Sequence, residues 1–334
     1  MLKSKPLVSI IIVNYNGRPF LDDCLKSLHQ IGYNEIEIIL VDNSSSDDSL
    51  DFVKREYPNV IIIKLEKNRG FAEPNNIGTK IAKGDYFLFL NNDTIVEPNF
   101  VSELVKTALK DSKIGILQSL LLKPGGEIDS SGDFIDETGI VFNSKKPISN
   151  DREIFSARGA CMMVQRSLFE KLGGFDEKFY FSFEDVDLGW RARIFGYKIV
   201  VIANSKVKHR GGKTTNKKET KLAFHGLKNQ LSMKITNFEL KFALKSFLMF
   251  FFIYGLREIR VWFDYTINGS TKITATNYEN KIAEKPSVVV ILKSIMWLFQ
   301  NSNYLWKKHR RINLNRKVST PELKKLGLIT NQIK

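Results

Sequence analysis

Cysteine is nearly absent from this chain, which has two cysteines, Cys24 and Cys161, in 334 residues. They lie far apart in the sequence and form no ligand cluster, so neither a disulfide framework nor a zinc site is predicted. A reducing compartment is the setting that fits this composition best.

The sequence also lacks an uninterrupted apolar run of roughly 20 residues, the length that a membrane-spanning helix needs. The N-terminal apolar run ends in polar residues at 14–16 and has no small-residue cleavage site. We therefore interpret it as a first strand and not as a signal peptide. No Gly-x-Gly-x-x-Gly or phosphate-loop pattern opens a helix, which disfavours a dinucleotide oxidoreductase or a P-loop hydrolase.

What the sequence does have is enough apolar residues, 43%, for a substantial folded core. Its charge is uneven: residues 206–334 carry 26 Lys+Arg against 7 Asp+Glu, net +19, whereas residues 1–205 carry 25 against 29, net −4. We therefore predict two regions with different partners. The sheet pattern described next stops near residue 216, so the predicted boundary separates an N-terminal domain at 1–215 from a helical region at 216–334.

The N-terminal region alternates short apolar runs with helix-length amphipathic segments. LVSIIIVNYN, EIEIILVDNSS, NVIIIKL and DYFLFLNND read as strands separated by helices. This order predicts an α/β fold with a mostly parallel sheet that has helices on both faces. In such sheets ligands bind beyond the carboxyl ends of the strands. Three strands end in polar residues, at 14–16, 42–44 and 91–93, which favours a site over turn chemistry alone.

Four segments carry a resemblance to a known family. They are VSIIIVNYNG, EIILVDNSSSDDS, the stretch from NRGFAEPNN to NNDTIVEPNF, and the stretch from GACMMVQRSLF to FEDVDLGWRARIFGYKIV. Together they resemble the family 2 glycosyltransferases with the GT-A fold, and most closely bacterial rhamnosyltransferase-like members that build surface polysaccharides. The resemblance covers residues 7–215, and it implies a GT-A, Rossmann-like sheet.

The resemblance implies a donor site at the strand ends. Asn91-Asn92-Asp93 stands where the family has its DXD motif, so Asp93 is the implied ligand of a divalent cation, Mg²⁺ or Mn²⁺, that bridges the donor diphosphate. This chain offers one carboxylate there. His209 stands where the family places a further metal or diphosphate contact, followed by the loop Gly211-Gly212-Lys213. The implied nucleotide-binding residues are Val13, Asn14, Tyr15, Asp42, Arg69 and Asn92.

The resemblance also implies an acceptor site in FSFEDVDLGWRARIFG. Inverting transfer needs one carboxylate that takes the proton of the acceptor hydroxyl, and Asp185 holds that position, with Glu184 as its neighbour or an acceptor contact. The alternative is an acidic helix start that satisfies the helix dipole. A helix from Glu184 would pair Asp187 with Arg191. We expect Arg191 as an acceptor-site or supporting residue that holds phosphate or acceptor groups, and the alternative is a solvated helix residue.

The C-terminal region is helical, aromatic and basic. Its apolar runs, at 246–256 and in the segment 286–300 around Lys293, are too short to span a bilayer but suit helices lying on an anionic membrane surface. The basic tail WKKHRRINLNRK adds attraction to anionic lipid. The alternative is that these helices pack on the catalytic domain or form a homodimer interface. Their aromatic residues lie within apolar runs, so nucleic acid is not a predicted partner.

The leading hypothesis is a metal-dependent inverting glycosyltransferase. It moves a sugar from a nucleoside-diphosphate-sugar donor to a saccharide acceptor, lipid-linked in this interpretation, and it is cytoplasmic and peripheral on the inner face of a bacterial membrane. Rhamnose, galactose and N-acetylhexosamine donors stay open. The alternatives are a nucleotidyltransferase and a non-catalytic binding protein on a degenerate transferase scaffold. The single carboxylate at Asp93 favours the non-catalytic binding protein.

Overall fold

The computed structural model describes residues 5–211, 219–249, 252 and 288–330. The chain divides into two compact units. One comprises Met1–Phe134 and Asn143–Lys217, and the other comprises Ile135–Phe142 and Lys218–Lys334. The second unit thus takes one short segment from the middle of the chain and the whole C-terminal region.

The first unit is built on a ten-stranded sheet. Its strands β3 (Ile61–Lys64), β2 (Ile36–Asp42), β1 (Val8–Asn14) and β4 (Tyr86–Asn91) lie side by side and are all parallel. Nearly every successive residue of β1 is buried, which means that both faces of the sheet are covered. The strands of the described chain are β1 Val8–Asn14, β2 Ile36–Asp42, β3 Ile61–Lys64, β4 Tyr86–Asn91, β5 Thr94–Val96, β6 Ile114–Leu122, β7 Ile128–Ser130, β8 Asp133–Asp136, β9 Val141–Asn143, β10 Arg152–Glu153, β11 Cys161–Gln165, β12 Lys198–His209 and β13 Ile329–Thr330.

Beyond β4 the sheet changes direction. Strand β11 lies between β4 and β6 and is antiparallel to both. Strand β12 then pairs in parallel with β6 and in antiparallel with β5, and the β5 pairing sets His209 opposite Thr94. A strand that arrives antiparallel brings residues near its own start to the edge where the parallel strands end. The ligand-binding edge therefore receives side chains from both halves of the chain.

The helices of the first unit match the predicted alternation. α1 follows β1, α2 follows β2, and α3 follows β3, which confirms the predicted α/β fold. The long α6 begins at Glu184, as the sequence predicted. The helices are α1 Arg18–Leu28, α2 Ser49–Glu56, α3 Ala72–Ile81, α4 Phe100–Ala108, α5 Arg166–Leu172 and α6 Glu184–Ile194.

The second unit is mainly helical. The helix α7, Glu219–Asn237, packs against the helices Val288–Gln300 and Ser302–Leu314. A shorter helix, Thr320–Lys325, begins with a capping box in which Ser319 and Glu322 satisfy each other's backbone N–H groups. Its chain then pairs in parallel with β8, with Ile329 opposite Ile135.

None of the helices in the described parts of the chain is long and apolar enough to cross a membrane. Residues 240–249 are helical, so the first half of the predicted apolar run 246–256 forms a helix. Residues 250, 251 and 253–256 of that run lie outside the described residues. The same holds for Gly212 and Lys213 of the predicted phosphate loop.

Candidate active site

The polar residues at the ends of three parallel strands meet, as predicted. Asn14 donates from Nδ2 to Asp42 Oδ1 at 3.2 Å, and Asn92 donates from Nδ2 to Asn14 Oδ1 at 2.9 Å. The strand register sets Asn14 directly beside Asp42. All three side chains are buried. They form a hydrogen-bonded layer at the carboxyl edge of the sheet.

Asp42 is turned into the protein. Its side chain has no exposed surface, and its second oxygen accepts a hydrogen bond from the backbone N–H of Ser45 at 3.1 Å. Val13 is partly buried just before this layer, whereas Tyr15 is 40% exposed beyond it. Asp42 therefore orders the loop after β2, and Tyr15 is the accessible residue among those predicted to contact a nucleotide at these strand ends.

Asp93 and His209 come together although 116 residues separate them. Asp93 is buried, and its Oδ1 lies 3.5 Å from His209 Nε2. Its Oδ2 accepts a hydrogen bond from the backbone N–H of Gly211 at 3.1 Å. The pairing of β5 with β12 creates this contact. The two predicted metal ligands thus lie side by side at the sheet edge.

A carboxylate that the sequence analysis missed orients this histidine. Asp129 Oδ2 lies 3.0 Å from His209 Nδ1, on the side of the ring away from Asp93. Burial disfavours the charge on Asp129, but the hydrogen bond and charge of His209 outweigh it and lower the pKa of Asp129. A carboxylate on one ring nitrogen fixes the tautomer and directs the lone pair of the other nitrogen outward. That nitrogen, Nε2, lies 3.3 Å from Asn91 Nδ2.

The acidic pair Glu184–Asp185 opens α6. Asp185 accepts a hydrogen bond on Oδ2 from the backbone N–H of Gly159 and another on Oδ1 from its own helix at Val186, both at 2.8 Å. Glu184 is 6% exposed, and its Oε2 is buried without a hydrogen-bond partner in the described chain. Burial, together with the charge of Asp185, raises the pKa of Glu184 to about 8.

The backbone before this pair is strained. Among the described residues, five that are not glycine have positive φ, and three of them directly precede Glu184. The other two follow β1 and β2. Strain of this kind concentrates at functional sites. The five are Asn16, Ser44, Tyr180, Ser182 and Phe183.

The strained loop rests against the loop before α3. Gly70 has φ +83°, and a Cβ there would clash with the carbonyl oxygen of Tyr180. That oxygen accepts a hydrogen bond from the backbone N–H of Phe71 at 2.6 Å. Arg69 belongs to the same loop and donates to Glu73 at 2.5 Å with about a third of its side chain exposed. The loops that precede α3 and α6 are therefore held together beside the acidic pair.

Arg158 and Asp133 form a second ion pair that the sequence analysis missed. Arg158 Nε lies 3.1 Å from Asp133 Oδ1. Burial opposes the charge on Arg158, yet the surrounding carboxylates of Asp133, Asp185 and Asp129 outweigh it and raise its pKa. Burial also raises the pKa of Asp133 to about 6. Arg158 thus stands between the acidic pair and the carboxylate that holds His209.

Arg191 does not reach into the site, and its predicted role as a phosphate contact is corrected. The predicted pair with Asp187 forms at 2.8 Å, but both side chains are buried. Two further guanidinium nitrogens donate to the carbonyl oxygens of Leu172 and Gly174, each at 2.9 Å. Arg193 is likewise buried against backbone carbonyls and Glu153. Arg191 supports α6 because its donors are used inside the protein.

The described residues contain no group of three or more His, Cys, Asp and Glu side chains arranged as a metal site. Both cysteines are buried free thiols, and burial raises the pKa of each to about 12. Asp93 and His209 are the two described residues that the sequence analysis predicted as ligands of a cation, and they lie 3.5 Å apart.

Comparison with known proteins identifies the family. Residues 9–173 match the model of glycosyl transferase family 2. The O-antigen biosynthesis protein RfbC of Myxococcus xanthus is 32% identical over 62% of this chain and 18% of its own length. The N-acetylglucosaminyl-diphospho-decaprenol L-rhamnosyltransferase of Mycobacterium tuberculosis is 24% identical over 63% of this chain and 78% of its own length. This chain therefore spans less than a fifth of the first relative.

Solved structures show the same fold. A mannosyltransferase from Pyrobaculum calidifontis, in complex with GDP-Man and Mn²⁺, aligns over 94% of this chain and 86% of its own with a TM-score of 0.57 at 14% identity. TarS 1-349 from S. aureus aligns over 96% and 92% with a TM-score of 0.55 at 18% identity. The chain contains a glycosyl transferase family 2 domain over residues 9–173 within the GT-A fold of these solved structures, and its first relative is named for O-antigen biosynthesis.

Proposed function

We propose that this protein is an inverting glycosyltransferase that transfers a sugar from a nucleoside-diphosphate-sugar donor to a lipid-linked saccharide acceptor during surface polysaccharide synthesis. One observation carries the proposal. The same sheet edge holds the Asp93–His209 pair, suited to a diphosphate-bound cation, and the Glu184–Asp185 pair, suited to a hydroxyl acceptor. Arg158 and Asp129 connect the two pairs electrostatically.

The donor lies over the strand ends in this proposal. Tyr15, which is exposed beyond β1, contacts the base, and Asn92 faces the ribose from the layer formed with Asn14. Arg69 faces the diphosphate, since a third of its side chain is exposed next to the loop that it shares with Phe71. Asp42 supports this site from inside the protein, because its side chain holds the loop after β2 in place.

The residues present fit a divalent cation. Asp93 Oδ1 and His209 Nε2 converge to 3.5 Å, and one carboxylate with one imidazole leaves most of a Mg²⁺ or Mn²⁺ coordination sphere to donor phosphates and water. Asp93 and His209 would hold the cation, which supplies neutralisation of the charge that develops on the departing nucleoside diphosphate. Mn²⁺ is present in the Pyrobaculum mannosyltransferase complex, whose fold this chain shares.

The chemical step is assigned to Asp185. The acceptor hydroxyl oxygen bonds to the anomeric carbon while the bond from that carbon to the phosphate oxygen breaks, and the hydroxyl proton passes to the Asp185 carboxylate. The nucleoside diphosphate leaves with the bonding electrons. Hydrogen bonds from the backbone N–H groups of Gly159 and Val186 fix the orientation of the Asp185 carboxylate. Protonated Glu184 is available to donate a hydrogen bond to the acceptor.

The acceptor and sugar are proposed from the relatives. The mycobacterial relative is named as a rhamnosyltransferase that acts on a diphospho-decaprenol acceptor, and we propose rhamnose on a polyprenyl-diphosphate saccharide here. Two buried free thiols fit a reducing compartment, which supports a position at the cytoplasmic face of a bacterial membrane.

Thermal stabilisation by UDP, GDP and dTDP, each with and without Mn²⁺, tests the donor site first. We expect one nucleotide to raise the melting temperature in a Mn²⁺-dependent way, and Asp93→Asn to abolish the Mn²⁺ dependence. Asp185→Asn is expected to keep this shift and lose transfer. No shift with any nucleotide, or full transfer by Asp185→Asn, would contradict the assignment.

A further inference from the structure

The second unit exposes a row of large apolar side chains on the helical stretch that begins at residue 240. Leu240, Leu244, Leu248 and Phe252 recur every four residues, the spacing of neighbours on one helix face, and each is between 62% and 68% exposed. Ala243, on the opposite side, is buried. This first apolar row points to solvent along its whole described length.

A second apolar row lies on the helix Val288–Gln300. Val289, Leu292, Met296 and Phe299 are 53% to 76% exposed at spacings of three and four residues, and they line one shallow groove with Lys293. Val290 packs inward. Soluble proteins seldom leave such contiguous apolar faces uncovered, so a row of this kind marks a binding surface.

Positive charge surrounds both rows. Lys241 is exposed beside the first row, and Lys293 is exposed within the second. Residues 288–318 contain seven Lys and Arg and no Asp or Glu. Trp306, 54% exposed on the next helix, is followed by the exposed Lys307. Tryptophan and cations beside exposed aliphatic side chains are the composition of helices that lie at a bilayer surface.

The positive charge of these helices discriminates among the possible partners of the two apolar rows. A second copy of this chain in an isologous contact would bring the same cationic surface of each protomer together, with no acidic residue in 240–249 or 288–300 to compensate. Nucleic acid would match the charge but leave eight large apolar side chains without a partner. An anionic lipid surface matches both the positive charge and the apolar side chains, since headgroups attract the cations while the acyl boundary takes the apolar side chains.

We propose that the two apolar rows are a docking surface for an anionic lipid bilayer, on which the helices lie peripherally. Because the rows and their cations belong to the second unit alone, the proposal does not depend on the donor or acceptor assigned above. Both charge and apolar burial contribute, so binding requires anionic lipid and weakens as salt screens the headgroups.

Co-sedimentation of the full chain with vesicles tests this proposal. We expect binding to phosphatidylcholine vesicles that contain about one third phosphatidylglycerol, little binding to pure phosphatidylcholine, and weaker binding at about 0.5 M than at about 0.1 M NaCl. Leu292→Ser with Phe299→Ser removes two apolar side chains from the second row without touching a buried residue. We expect roughly tenfold or greater loss of partitioning.

The matched control is Ile81→Ser with Leu109→Ser, which removes two exposed apolar side chains from the first unit. This control should bind vesicles as the unchanged protein does. Absence of binding to anionic vesicles, or equal loss in both double variants, overturns the proposal. A dimer in solution that Leu292→Ser with Phe299→Ser converts to monomer, without vesicle binding by either form, overturns it in favour of a homodimer interface.

Discussion

Replacing Arg191 with methionine should destabilise the first unit far more than most single changes. The guanidinium makes three hydrogen bonds, at 2.8 Å to Asp187 and at 2.9 Å to each of two backbone carbonyls. Arg191 is 2% exposed and Asp187 is fully buried. Removing one partner of a buried ion pair leaves the other charge uncompensated, which costs about 3–5 kcal/mol. A domain of this size should lose about 10 °C of melting temperature or more.

The matched control is Arg166→Met. Arg166 pairs with Glu170 at the same four-residue spacing and at 2.9 Å, but the two side chains are 42% and 58% exposed. An exposed pair contributes at most about 1 kcal/mol, so this variant should stay close to the unchanged protein. Urea unfolding followed by circular dichroism and by tryptophan fluorescence gives both free energies where the two probes agree.

The reasoning fails if Arg191→Met costs no more than Arg166→Met. It also predicts partial recovery in the double variant Asp187→Asn with Arg191→Met, because asparagine carries no charge that needs a partner. A residue that bound phosphate would behave otherwise. Its loss would weaken nucleotide binding and leave the free energy of unfolding nearly unchanged.

Two further predictions concern the carboxylates. Asp129→Asn should weaken Mn²⁺ binding by about 10- to 100-fold in calorimetric titrations at saturating nucleotide, because His209 loses its orienting carboxylate, whereas exposed Glu127→Gln should not. Glu184→Gln should gain stability over the unchanged protein as pH rises from 5 to 8. The folded pKa of Glu184, about 8, lies above the usual 4.5, so between these values the unfolded chain loses this proton while the folded chain keeps it, and the free energy of unfolding falls by up to about 1.4 kcal/mol per pH unit. If the free energies of unfolding in urea of Glu184→Gln and of the unchanged protein followed parallel pH profiles, the prediction for Glu184→Gln would be refuted.

The strand ends of the site were predictable because they depend on local pattern. An apolar strand that is followed by polar residues ends at the edge of the sheet. Three such strand ends become adjacent once β1, β2 and β4 pair in parallel. Periodicity likewise predicted the start of α6 and the pairing of Asp187 with Arg191. It did not predict the burial of that pair, because burial on every side depends on what packs around the helix.

Asp129, Asp133 and Arg158 were missed for a different reason. Each is a single charged residue in a stretch without a strong helical or strand pattern, and nothing in the local sequence separates it from a surface residue. Asp129 lies on β7, Asp133 on β8 and Arg158 in the loop before β11, so the pairing of distant segments brings them to the site. Pattern analysis locates strands but not their order, so contacts between strands distant in sequence, such as β5 with β12, stay hidden from it.

These missed residues join the two halves of the proposed chemistry. Proton transfer to Asp185 and charge development on the leaving diphosphate belong to one step, so the electrostatics at both ends must be balanced together. Asp129 acts on His209 by a hydrogen bond and on Arg158 by its charge, and Arg158 in turn acts on Asp185. Carboxylates therefore lie on both sides of His209 and of Arg158 from the donor end to the acceptor end. A cation bound at Asp93 would add positive charge at one end of this half-buried row, where solvent screens charges less than at an exposed surface.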